Sequence, residues 1–354
     1  MTSIDALRHD HPVDALRHDH PVDALRHHGD AELGPGLLDL AVNVRSAGPP
    51  AWLRDGIAAS LTGLGAYPDP GAATAAVAAR HGRDPAEVLL TAGAAEAFVL
   101  LARALRPVHA VCVHPSFTEP EAALRAAGQE VHRLVLAPPY VLGDVPEQAD
   151  LVVVGNPTNP TGVLQPDLAR LCRPGRVVVV DEAFLDAVPG EPGSLAGRSD
   201  LPGLVVVRSL TKTWALAGLR IGYVLAAPDL VARLRAVQPL WAVSTPALAA
   251  AQLCSTPQAV AEAQAGALAG DRERLRLEGA LSGLGVEVTP GSVAPYLLCR
   301  TPGPVRDRLR TLGIAVRRGD TFPGLTTEHW RTAVRDRPAS DRLVAGLWTL
   351  LCAA

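Results

Sequence analysis

The chain has 354 residues, 48% of them apolar and 19% charged, with a formal net charge of −3. These proportions suit a globular protein with a sizeable core and give no reason to expect nucleic acid or an anionic membrane as a partner. No apolar run reaches membrane-spanning length and the first residues lack the apolar core of a signal peptide. The five cysteines (Cys112, Cys172, Cys254, Cys299, Cys352) follow neither disulfide nor metal-ligand spacing, which predicts reduced thiols and a cytoplasmic location.

The chain opens on a nine-residue repeat, Asp5–Val13 and again Asp14–Val22, with a third start at Asp23 that departs after His27. Two and a half polar copies are too few to stack as a solenoid, so residues 1–22 are expected to be a disordered arm. From Leu37 the texture alternates between strand and helix signals. Apolar runs at Val88–Leu90, Ala110–Val113, Leu151–Val154, Val177–Val180 and Val205–Val207 predict strands buried on both faces. Helical stretches such as Glu96–Leu105 and Glu119–Ala127 separate several of them. That pattern is α/β, with a large, mostly parallel sheet. An alanine-rich helical stretch runs from Pro246 to Leu281. Strand candidates follow at Tyr296–Cys299, Ile314–Arg317 and Thr332–Arg335, then a helix near Asp341–Cys352, which predicts a smaller α+β domain.

Each strand of the larger unit ends in residues with chemistry to offer, where open α/β sheets place ligands. Gly93, Ala94 and Ala95 open a helix, and small residues there let backbone N–H groups receive a phosphate. Phe117, in His114-Pro115-Ser116-Phe117, is suited to stacking on a flat ring. Two Asn-Pro pairs in Gly155–Gly162 fix a turn that presents Asn159. Asp181 ends an all-valine strand, a costly place for a carboxylate without a cationic partner. Lys212 is the only lysine among 33 lysines and arginines. Unlike arginine, an amine can lose its proton and form an imine with an aldehyde.

In order and spacing these residues resemble fold-type-I pyridoxal-phosphate enzymes of the class I/II aminotransferase superfamily, from residue 27 to the end. The resemblance implies pyridoxal 5'-phosphate as cofactor, an α-amino acid as small-molecule substrate, Lys212 as the covalent anchor and proton carrier, and Asp181 on the pyridine nitrogen. It also implies Asn159 on the ring's phenolic oxygen, Phe117 on its face, and Ser209, Arg220 and Gly93–Ala95 around the phosphate. Tyr67 resembles the tyrosine that reaches the phosphate of a partner subunit, so a homodimer is implied. The domain layout that follows is the arm, a segment 23–36 packing on the small domain and substrate site, a large cofactor-binding domain 37–245 and a small domain 246–354.

Two branches share these motifs, histidinol-phosphate aminotransferase and the threonine-phosphate decarboxylase of cobalamin biosynthesis. Phe184 in place of a common tyrosine, the Arg208–Lys212 motif, the Arg331–Arg335 strand, His28-Gly29 and the Leu37–Asn43 loop resemble the second. Decarboxylation is therefore the leading expectation, and transamination to a 2-oxo acid the alternative. Carried over, Arg331 would bind the substrate carboxylate, while Arg317, His28 and Arg335 would hold a substrate phosphate near Asn43. Arg45, Ser244 and Pro295 depart from the decarboxylase pattern. A non-catalytic regulator on the same fold is disfavoured, because some 35 polar residues are too few for a preceding DNA-binding module and Lys212 and Asp181 are intact.

Overall fold

The computed structural model describes residues 25–44 and 48–352; the repeat arm and Arg45 lie outside them. The first strand, β1 (Leu38–Leu40), belongs to a smaller sheet taken up below. Seven strands build the larger one: β2 (Val88–Thr91), β3 (Ala110–His114), β4 (Val131–Val135), β5 (Leu151–Gly155), β6 (Val177–Asp181), β7 (Leu204–Ser209) and β8 (Gly222–Ala226). Their spatial order is β2-β8-β7-β6-β5-β3-β4. From β7 to β4 all neighbours are parallel, whereas β8 runs antiparallel to both β2 and β7.

Side chains alternate across a strand, so the valine runs feed two cores. Val152, Val154, Val178, Val180 and Val206 pack on one face with helices α1 (Ala51–Ala59) and α2 (Gly71–His81). Val153, Val179, Val205 and Val207 pack on the other with α3 (Ala94–Leu105), α4 (Glu119–Ala126) and α5 (Pro228–Val237). Helix α6 (Thr245–Cys254) returns to the first face and buries Ala250, Ala251 and Cys254 there.

The long helix α7 (Pro257–Gly283) then leads to the second sheet. Its strands are β1, β9 (Glu287–Val288), β10 (Tyr296–Arg300), β11 (Ile314–Arg318) and β12 (His329–Ala333), ordered β1-β11-β12-β10-β9. Helices α8 (Arg306–Thr311) and α9 (Arg337–Leu351) close its core, where Leu309, Leu343 and Leu347 meet Leu40, Ile314, Val316 and Trp330.

Three expectations are corrected. Leu38–Leu40 does not begin the larger unit: it pairs in parallel with Ile314–Val316, a three-residue strand too short to announce its sheet. No division falls at residue 245, because α6 belongs to the larger core. The crossover lies within α7, whose Ala259 and Ala263 join that core while Leu277 and Leu281 join the smaller one. The helical stretch Pro246–Leu281 is also interrupted. Thr256 caps α7 by accepting the Ala259 N–H at 3.3 Å, and Pro257 has no N–H to continue the preceding helix. No helix among the described residues is long and apolar enough to cross a membrane.

Candidate active site

Register brings the ends of three parallel strands together: Gly155 of β5 lies beside Asp181 of β6, which lies beside Val207 of β7. The Asn156 N–H donates to the Asp181 carbonyl at 2.8 Å and the Glu182 N–H to the Val207 carbonyl at 2.9 Å, so the segments that follow leave from one edge. Beyond β5, the Thr158 hydroxyl donates to the Gly155 carbonyl at 2.8 Å and shapes the turn that carries Asn159. Asp181 accepts the Ala183 N–H at 3.0 Å and forms no ion pair among the described residues. Burial raises its carboxyl to about 6, against the opposing pull of that N–H and of Lys212.

Lys212 lies three residues past β7, with its Nζ 5.8 Å from the Phe184 ring centroid. Burial, then the charges of Arg331 and Arg220, lower its amine to about 8. A lysine so placed keeps about a tenth of its amine neutral and nucleophilic at pH 7. Behind it, Ser209 and Thr211 share a hydroxyl–hydroxyl bond of 2.7 Å.

The antiparallel β8 sets the other wall. Gly222, paired with Ser209, lies so close to the start of α3 that a Cβ there would stand 3.0 Å from the Ala94 nitrogen. The first-turn N–H groups of α3, including those of Ala94 and Ala95, have no intrahelical acceptors. Gly93 has φ +80°, and a Cβ on it would come within 2.6 Å of the Arg220 guanidinium. Arg220 therefore lies across Gly93, donating to the Ala217 carbonyl at 3.1 Å. The half-buried Phe117 ring stands past β3, its centroid 5.2 Å from that of His28.

The second sheet contributes Arg331 of β12. Its Nη1 donates to Asn159 Oδ1 and its Nη2 to the Ala41 carbonyl, each at 2.5 Å, while its Nε is buried without a partner. Because Asn159 Oδ1 is occupied by the arginine, its Nδ2 is the end left to donate elsewhere. Burial, then the neighbouring Arg317, lower the Arg331 guanidinium to about 9. Asn43 is buried, and neither amide atom has a partner among the described residues. It lines a cavity of about 410 Å3 together with Lys212, Pro295 and Arg335.

The three groups expected to take a substrate phosphate already have protein partners. His28 Nε2 lies 2.6 Å from Glu119 Oε1. Arg317 donates to the His27 carbonyl at 2.5 Å and stands 3.5 Å from Glu32. Arg335 donates to the carbonyls of Asp39, Val42 and Val44 and approaches Asp39 Oδ2 at 3.4 Å. Ser244 is the residue before α6. Tyr67 is not part of the cluster: it is 75% exposed and stacks on Trp241, with ring centroids 4.1 Å apart.

Sequence reasoning missed Glu32, Glu119 and Thr211. Glu32 is 1% exposed and accepts from both Arg306 and His27. Burial would raise its carboxyl, but the hydrogen bonds from His27 and Arg306 prevail and hold it at about 2. Only Thr211 left a sequence signal, sitting two residues after Ser209 in a polar turn; Arg306 is distant in the chain from Glu32, and His28 from Glu119.

The family model described as aminotransferase class I and II matches residues 35–347. A Mycobacterium bovis protein named histidinol-phosphate aminotransferase is 52% identical over 329 residues, covering 90% of this chain and 89% of its own length. The threonine-phosphate decarboxylase of Salmonella typhimurium is 33% identical over 335 residues, covering 89% and 91%. In fold, the chain matches the histidinol-phosphate aminotransferase of Clostridium acetobutylicum with a TM-score of 0.81, at 24% identity, over 90% of this chain and 100% of the other. Of the two expected branches, the relative bearing the aminotransferase name is the nearer in sequence.

Proposed function

The chain belongs to the aminotransferase class I and II family, pyridoxal 5'-phosphate-dependent enzymes, and from that premise we propose that it transfers an amino group from a primary amine donor to a 2-oxo acid, as histidinol-phosphate aminotransferases do. The observation that carries this reading is the 52% identity, spread over 90% of the chain, to a protein of that name. Decarboxylation, the leading expectation from the motifs, becomes the second reading.

The residues fit the cofactor. Asp181 is a carboxylate without an ionic partner, and Gly93 leaves room for Arg220 at an unsatisfied helix start. When bound, the cofactor supplies an aldehyde for amines and a protonated ring that draws electrons from the substrate. Asp181 holds the proton on the ring nitrogen, and Asn159 Nδ2 donates to the phenolic oxygen. Phe117 covers one face and shields it from water. Ser209, Arg220 and the backbone of Gly93–Ala95 bind the phosphate. Lys212 would anchor the cofactor and move the proton at the substrate's α-carbon, a task suited to an amine lowered to about 8. Arg331 receives an α-carboxylate along its unpartnered Nε edge, as a bidentate pair. Asn43 lines the cavity beside Lys212 with an amide that has no partner among the described residues.

One feature favours the decarboxylase reading. Phe184 packs edge-on against Tyr296, with centroids 5.0 Å apart, and puts no hydroxyl beside Lys212. A homodimer is supported by the exposed apolar group Leu64, Tyr67, Leu240 and Trp241; a cytoplasmic location rests on the scattered cysteines. Product analysis of cofactor-loaded protein separates the readings. Glutamate formed from 2-oxoglutarate only when L-histidinol phosphate is present supports transamination. Carbon dioxide released from L-threonine O-3-phosphate without any acceptor would overturn it.

A further inference from the structure

Beneath the cofactor-holding edge lies a group of buried charges that the mechanism above does not use. Asp181 and Ser209 belong to the α3 face of the sheet, in phase with Val179 and Val207. The adjoining residues Glu182 and Arg208 therefore point to the opposite face. Both are buried, at 0% and 2% exposure. Arg208 Nη1 donates to Glu182 Oε2 at 2.9 Å and its Nη2 to Glu191 Oε2 at 2.5 Å. Glu182 also accepts the Leu195 N–H at 2.7 Å and the Ser194 hydroxyl at 2.9 Å.

The other charged and titratable groups around Arg208 come from several elements. Arg80 of α2 reaches Glu191 at 3.4 Å. Tyr223 of β8 is paired with Arg208 in register, and its hydroxyl lies 2.9 Å from His81 Nε2. Asp186, on the turn after Phe184, is 2% exposed and lies in the field of both arginines, with the Thr213 side chain beside it. Removing one member of a buried ion pair leaves the other as an uncompensated charge. Here that charge would be Glu182, one residue from the carboxylate assigned to the ring nitrogen.

We propose that Arg208 is a positioning residue for the cofactor: by gripping Glu182 across the ends of β6 and β7, it fixes Asp181 and Ser209, the ring-nitrogen and phosphate ligands, relative to each other. One backbone bond joins the same strand ends, from the Glu182 N–H to the Val207 carbonyl. Arg208 adds the side-chain tie on the hidden face. The inference depends on the cofactor and not on the choice between transamination and decarboxylation.

The test uses the full chain carrying Arg208→Met, Arg208→Lys or Glu182→Gln, each titrated with pyridoxal 5'-phosphate and followed by visible absorbance, alongside thermal unfolding of the apo form. In Arg208→Met the dissociation constant for the cofactor should rise at least about tenfold. The visible band of the lysine-bound cofactor should shift in wavelength or in its pH midpoint, and Arg208→Lys should recover part of both. Should Arg208→Met fail to fold, Glu182→Gln, in which Glu191 still holds Arg208, should show the same changes more weakly. A folded Arg208→Met protein, or failing that a folded Glu182→Gln protein, with wild-type cofactor affinity and an unchanged band would overturn the proposal even if its melting temperature fell. Absence of product from the wild-type protein, with both changes still seen in Arg208→Met, would count against the assigned chemistry and leave this role of Arg208 standing.

Discussion

Replacing Arg331 with leucine tests the carboxylate assignment most directly. In the free site Arg331 is crowded by Arg317, and its Nε is buried without a partner. An incoming carboxylate would form two charge-assisted hydrogen bonds, each contributing about 1.5–3 kcal/mol. Desolvation of both ions offsets part of that, leaving about 3–4 kcal/mol, or a 10²–10³-fold effect on kcat/KM. Leucine also strands Asn159 Oδ1 and the Ala41 carbonyl, but that loss falls on every substrate alike. The informative quantity is therefore a ratio. Single-turnover rates of cofactor-loaded protein would be compared for L-glutamate and for its amino alcohol, in which a hydroxymethyl group replaces the α-carboxylate. Glutamate should lose 10²–10³-fold and the alcohol less than about tenfold. Equal losses for the two would refute the assignment. The variant should also raise the Lys212 pKa, because the Arg331 charge is the second cause, after burial, of its lowering.

Lys212→Ala should fold yet show no lysine-bound absorbance and no borohydride-fixed cofactor; a labelled peptide would contradict the central role of Lys212, since no second lysine exists. Gly93→Ala forces a residue with a Cβ to φ +80° and displaces Arg220. It should cost about 1–3 kcal/mol of apo stability and weaken cofactor binding by roughly tenfold, and a fluorescence titration matching wild type would disprove the cradle. Glu32 is held at about 2 in the fold against an ordinary 4.5. The stability it adds is thus complete above pH 4.5 and is lost as the pH falls toward 2. Glu32→Gln should lower stability by on the order of 2–3 kcal/mol at pH 7 and flatten the acid limb of a denaturation series; an unchanged acid limb would refute the linkage.

The parts of the site readable in sequence are those where chemistry and strand ends coincide. Lys212 stood out by composition, and Asp181 by the cost of a carboxylate after four valines. Gly93 and Asn159 stood out by turn chemistry at the ends of apolar runs. The parts that were not readable depend on distant partners. Nothing near Arg317 or His28 in the chain indicates that Glu32 and Glu119 engage them. The direction of β8 was hidden for a related reason, since Gly222–Ala226 is as apolar as the parallel strands of the same sheet. Helix α6 reads as a member of the later domain because alanine periodicity does not specify which core it enters. Domain limits drawn from texture alone therefore missed the crossover inside α7.

The proposed ligands of the cofactor hang on the larger sheet, while Arg331, Arg317, Arg335 and Asn43 hang on or beside the smaller one. The Asn159–Arg331 hydrogen bond joins the two sets. Under the proposed assignments, replacements along β11 and β12 other than at Arg331 should retune which amine is accepted while the coenzyme seat stays intact. Divergence of substrate preference within such a scaffold then needs changes on the smaller sheet alone, and directed evolution for a new donor should begin there.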